Sequence, residues 1–134
     1  MYKKLLERAI SVQPNAYAPY SNFKVGASIL CENGDVFDGV NIENASYSVT
    51  CCAERVALFK AISSGNNKFK AIAVVGGKNG EKLLPKCVPC GVCLQALSEF
   101  VSGDFIVVAG DKNNFTTFKF SELFTEIFQK NSLL

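Results

Sequence analysis

Residues 41–61 read NIENASYSVTCCAERVALFKA, and residues 89–93 read PCGVC. Together these stretches hold four of the chain's six cysteines, and the chain has no histidine. Each cluster stands where a loop gives way to a helical pattern: CAERVALFKAISSG over 52–65 and CGVCLQALSEFV over 90–101. What the cysteines do depends on whether those two helix starts meet.

The surrounding pattern answers this. FKVGASILC (23–31) reads as a strand, ENGD (32–35) carries an Asn-Gly turn signal, and VFDGVNIE (36–43) reads as the returning strand. FKAIAVVGG (69–77) and DFIVVAG (104–110) are short apolar runs, the mark of buried strands, and FTTFKF (115–120) follows. The DKNN turn is too short for a crossover, so the last two strands must pair antiparallel. Leu5, Leu6, Ala9 and Ile10 form a helical stripe over residues 2–12, Val56, Leu58, Phe59 and Ile62 mark the 52–64 helix, and SELFTEIF (121–128) predicts a final helix. QPNAYAPYS (13–21) and residues 78–89 are loops. The order predicts an α/β fold, a mixed five-stranded sheet with helices on both faces. If the 52–64 helix runs down the sheet and the next strand returns, the 90–101 helix starts at the same edge as Cys52. That edge is the expected site.

With 134 residues the chain is expected to form one domain, and 49% hydrophobic content supports a core without disulfides. A net charge of +2 from scattered residues disfavours a nucleic-acid partner. MYKKLLERAI lacks the apolar run of a secretion signal, and no segment is long enough for a membrane span. The expected location is the cytoplasm, where cysteines serve as ligands, catalytic groups or buried apolar residues rather than disulfides. The sequons at Asn44 and Asn114 are then chance matches.

Cys90 and Cys93 are spaced i, i+3 and share a helix face. Helix N-termini favour thiolate. Three thiolates suit zinc in a catalytic site, where the fourth position stays open for water. Three thiolates on Zn²⁺ leave a net −1, which Arg55 would offset. Glu54, two residues after Cys52, points to another side and reads as a proton relay beside the metal. The spare cysteines leave choices open. Cys51 could stand in for Cys52, Cys87 forms an overlapping Cys-x-x-Cys with Cys90, and Cys31 reads as buried. A redox pair and a purely structural zinc are the rival readings. On the strand leading in, Asn41 and Glu43 face one side while Val40 and Ile42 face the other, which fits a polar ligand at the same edge.

APYSNFKVGA, NIENA, CAER and PCGVC, in that order over about residues 15–110, resemble the small cytidine deaminases that act on free nucleosides and have an all-cysteine zinc site. Zinc deaminases as a class carry His or Cys, one residue, Glu, and later Pro-Cys-x-x-Cys. Here that is Cys52-Ala53-Glu54 and Pro89-Cys90-Gly91-Val92-Cys93. The resemblance implies a three-layer fold, one zinc per chain on Cys52, Cys90 and Cys93, and Glu54 as proton shuttle. It further implies Asn41 and Glu43 on the ribose hydroxyls, Phe23 against the nucleoside, backbone groups of Ala53 and Cys90 at the reacting centre, and Arg55 on the thiolates. It implies deamination of cytidine and deoxycytidine to uridine and deoxyuridine in pyrimidine salvage, by a homotetramer. Phe128 is a candidate contribution to a neighbour's site, although Leu123, Phe124, Ile127 and Phe128 read better as core. Cys51, Cys87 and a long 76–89 loop depart from the family pattern. A base editor of RNA or DNA and a deaminase of another aminopyrimidine, such as a nucleoside antibiotic, are the alternatives within this chemistry.

Overall fold

The computed structural model describes residues 2–133. Among them, five strands form one sheet in the order β2-β1-β3-β4-β5. These are β1 (Phe23–Cys31), β2 (Val36–Val40), β3 (Phe69–Lys78), β4 (Ile106–Asp111) and β5 (Asn114–Lys119). β1 pairs antiparallel with β2 and β3, β3 with β4 is the parallel pair, and β4 with β5 is antiparallel. The mixed sheet and its antiparallel last pair match the sequence expectation.

The helices lie on both faces. α1 (Tyr2–Val12) buries Leu5, Leu6 and Ala9 against Ala71, Ala73, Val75 and Val108. On the other face, α2 (Ala53–Ser63) and α3 (Gly91–Ser98) bury Ala57, Leu58, Ala61, Leu94 and Leu97 against Ala27, Ile29, Ile72, Val74 and Val107. Alternate strand residues therefore go to opposite layers, as the pleat requires. No described helix is long and apolar enough to cross a membrane.

α2 ends where Gly65 takes φ +98°, with Gly65 N donating to Ile62 O and Asn66 N to Ala61 O. This double cap satisfies two terminal carbonyls and needs the left-handed conformation that glycine adopts freely.

Several expectations need correction. The buried stripe of α2 is mainly alanine (Ala53, Ala57, Ala61) with Leu58 and Glu54, while Phe59 is 47% exposed. Close approach is the reason: a Cβ at Gly39 of β2 would stand 2.4 Å from Ala53 O and 2.5 Å from Ala57 N. Large side chains do not fit in that gap. The strand expected to reach residue 43 stops at Val40, and Ile42 continues only as isolated bridges to Tyr17 and Cys51. The helix expected over 90–101 ends at Ser98. The helix expected over 121–128 is instead one short turn, α4 (Phe120–Leu123), ended at Phe124, whose backbone is extended (φ −138°, ψ 96°), and a second turn, α5 (Lys130–Leu133), follows beyond that span. Leu123, Phe124 and Ile127 still pack on the core, which overrides their helical spacing, but Phe128 is 60% exposed.

Candidate active site

Cys52 is the N-cap of α2 and Cys90 the N-cap of α3, both with extended backbone. β2 and β3 both pair antiparallel with β1 and so run the same way, which brings the helix starts that follow them to one sheet edge. The Sγ atoms of Cys52 and Cys90 are 3.9 Å apart, and Cys93, one turn into α3, completes a set whose sulfurs all lie within 4.8 Å of one another. All six cysteines are free thiols.

The set fits zinc. Tetrahedral coordination with Zn–S bonds of about 2.3 Å places two sulfurs about 3.8 Å apart. The geometry also favours thiolate. Cys52 is drawn down to about 5, first by a hydrogen bond from Cys93 and further by Arg55 and Cys90, against the opposing effect of burial. The hydrogen bond to Cys52 and burial raise Cys93. Arg55 Nη2 lies 3.5 Å from Cys52 Sγ and 3.4 Å from Thr50 O. Burial opposes its charge, yet the bonds to Cys52 and Cys93 outweigh that and raise it. Cys51 and Cys87 stay outside this set. Burial pushes the Cys87 thiol up to about 12, so it is a neutral group.

Cys52 and Cys90 line a cavity of about 330 Å³, large enough for a small ligand. Glu54 lines it and is only 4% exposed. Burial raises its carboxyl to about 7, with the neighbouring Cys52 adding to the shift. An acid near neutrality can both take and return a proton.

Asn41 and Glu43 are 8% and 9% exposed while Ile42 between them is 47% exposed, the reverse of what polarity alone dictates. Both polar side chains line the cavity. Asn41 Oδ1 accepts from Val25 N at 2.8 Å, and Asn41 Nδ2 donates to Phe23 O at 2.9 Å. Glu43 Oε1 accepts from Tyr20 N (2.9 Å) and Ser21 N (3.1 Å), and Oε2 accepts from the Ser21 hydroxyl. The Ser21 hydroxyl above all, and the two backbone donors, hold Glu43 below its ordinary value. Counting lone pairs, Oε2 keeps one acceptor site, and Asn41 keeps one N–H and one acceptor site. The pair is fixed by the protein and still has capacity for a polar ligand.

This arrangement has known counterparts. Residues 1–109 match the family model for the cytidine and deoxycytidylate deaminase zinc-binding region. The chain belongs to that family. The cytidine deaminase of Sporosarcina psychrophila is 46% identical over 105 residues, covering 78% of this chain and 74% of the relative. A probable cytidine deaminase of Dictyostelium discoideum is 40% identical over 134 residues, covering 98% and 86%. The crystal structure of a cytidine deaminase from Burkholderia pseudomallei superposes with a TM-score of 0.85 at 40% identity, covering 96% of this chain and 99% of that one.

The structure brings Phe23, Asn41, Glu43, Cys52, Glu54 and Cys90 to one cavity, with Cys93 and Arg55 beside it. Ala53, the first residue of α2, is fully buried next to Cys52. Sequence reasoning missed Ser21, Val25, Thr50 and Val88 as lining. Ser21 had a faint signal, a hydroxyl residue after a Pro-Tyr turn at a strand start. Cys87 had a louder one, the overlapping Cys-x-x-Cys, which pointed to metal rather than to the cavity wall.

Proposed function

We propose that this protein hydrolyses the exocyclic amine of free cytidine and deoxycytidine, releasing ammonia and leaving uridine and deoxyuridine. The observation that carries this reading is the placing of a buried acid, Glu54, in one cavity with a converging thiol set and the polar pair Asn41 and Glu43. Zinc, one ion per chain on Cys52, Cys90 and Cys93, would supply Lewis acidity and an acidified water.

The protein's own groups then divide the work. Glu54 takes a proton from the attacking water and gives it to ring N3, so that C4 accepts the nucleophile. It later carries a proton to the departing amine. Arg55 offsets the excess negative charge of three thiolates. Asn41 and Glu43 hold ribose hydroxyls through their unused sites, and Phe23 packs against the nucleoside. Backbone groups of Ala53 and Cys90 face the reacting amine and oxygen. A carboxylate at the sugar position repels a nearby phosphate, which supports a free nucleoside over a nucleic acid.

The working form is a homotetramer in the cytoplasm, serving pyrimidine salvage. Tyr20, Tyr47, Val49, Val88 and Val92 are 43–73% exposed, an apolar surface that self-association would cover. Light scattering on the purified protein tests this, and a monomer at micromolar concentration would sink it. The reaction itself is tested by counting zinc and following cytidine loss. Matched uridine and ammonia are expected. Zinc-loaded, folded protein with no turnover of either nucleoside would overturn the reading.

A further inference from the structure

Gly76 lies near the end of β3, paired with Val25 of β1. A Cβ built on it would stand 2.5 Å from Cys87 Sγ, and 3.0 and 3.1 Å from Phe23 Cε2 and Cζ. The thiol of Cys87 therefore occupies the space that a side chain at position 76 would fill, and the edge of the Phe23 ring rests on the same spot. Three segments distant in sequence meet there: the start of β1, the end of β3 and the loop before α3. The loop is tied to this point, since Leu84 N donates to Gly76 O at 2.7 Å. Cys87 also packs against the main core, so its sulfur has little freedom to retreat. Phe23 and Cys87 both face the cavity.

We propose that Gly76 and Cys87 are a matched pair of positioning residues that set how far the Phe23 ring projects toward the nucleoside. This rests on the cytidine deaminase reading above. The sulfur at 87 without a glycine at 76 leaves the ring displaced, and the glycine without the sulfur leaves it unsupported. The overlapping Cys-x-x-Cys motif is thereby given a role outside metal binding: Cys87 shapes the cavity wall.

The test compares Gly76→Ala with the double variant Gly76→Ala/Cys87→Ala in zinc-loaded protein, reading KM and kcat for cytidine together with thermal unfolding. Gly76→Ala forces the thiol and ring to move and is expected to raise KM about tenfold, with a smaller fall in kcat. The double variant Gly76→Ala/Cys87→Ala lets the new methyl take the place of the sulfur. Its KM is expected to return to within about threefold of wild type. A KM in the double variant no better than in Gly76→Ala overturns the proposal. So does an unmoved KM in a Gly76→Ala protein that merely melts earlier, because the contact is then structural alone. If Gly76→Ala does not accumulate folded, Cys87→Met adds bulk from the loop side with Gly76 intact. It must raise KM likewise, and an unchanged value overturns the pairing. A zinc-loaded wild type without cytidine turnover fails the function itself and the inference with it, whereas an active wild type with KM indifferent to these changes fails the inference alone.

Discussion

The cleft at the N-terminal end of α2 encloses about 330 Å³, and the one at its C-terminal end about 400 Å³. The larger is lined by Glu32, Asn33, Gly65, Asn66, Asn67 and Lys68, all exposed except the half-buried Asn66. Its polar groups serve one another: Asn33 Nδ2 donates to Asn66 Oδ1 (3.0 Å) and Asp35 Oδ2 (3.2 Å), tying the β1–β2 turn to the helix end. The smaller cleft holds buried Asn41, Glu43 and Glu54 with capacity to spare. Burying a polar group is unfavourable unless it finds a partner. Groups kept buried around a cavity therefore mark a ligand, while exposed ones that pair locally mark a surface. Volume does not separate the two ends; desolvation does.

The strongest way to break this contrast is Glu54→Gln against Lys68→Ala. The first is expected to lower kcat by about 10²–10⁴-fold with zinc content and unfolding temperature retained. The second should leave kcat/KM within about twofold. Equal effects would erase the distinction between the ends. Next, Cys90→Ala should drop zinc well below one per chain by metal analysis, with activity falling in proportion. Full zinc occupancy in that variant would remove Cys90 from the ligand set.

A finer probe is Ser21→Ala. It takes away one of the three donors to Glu43, and losing a hydrogen bond to a charged group is expected to loosen sugar binding by about tenfold in KM. It also has a pH signature. Glu43 is held below its ordinary value in the folded state, so its contribution to stability is present above its unfolded pKa and is lost as pH falls through the folded value. Removing the Ser21 hydroxyl raises that folded value and narrows the window below the unfolded pKa, so the variant should melt earlier than wild type at neutral pH and lose less of its unfolding temperature on acidification. Identical acid limbs would detach Ser21 from Glu43. The smallest effect belongs to the opposite cleft: Asn33→Ala should change stability by about 0.5 kcal/mol or less and leave KM unmoved.

Much of this molecule follows from spacing along the chain. The alternation around Asn41 and Glu43, the i, i+3 interval of Cys90 and Cys93, and the α-β-β-α-β-α-β-β-α order are local facts, so they could be read directly. Strand order follows from short turns and crossover lengths, and it already places Cys52 and Cys90 at one edge. Other features depend on neighbours remote in sequence. The alanine face of α2 reflects the approach of Gly39, and Phe59 of the same helix is left 47% exposed. The break at Phe124 arises because short segments reach the core better than one continuous helix. Cys87 illustrates the division most clearly. Its motif is visible in the sequence and offers two rival pairings with Cys90. Which sulfurs gather within 4.8 Å, and which one settles on a glycine beside Phe23, is decided only when three distant segments pack together. Periodicity and spacing determine the elements and the edge at which they meet. Contacts of a few ångströms, which depend on the side chains of every packed element at once, are decided by the tertiary structure.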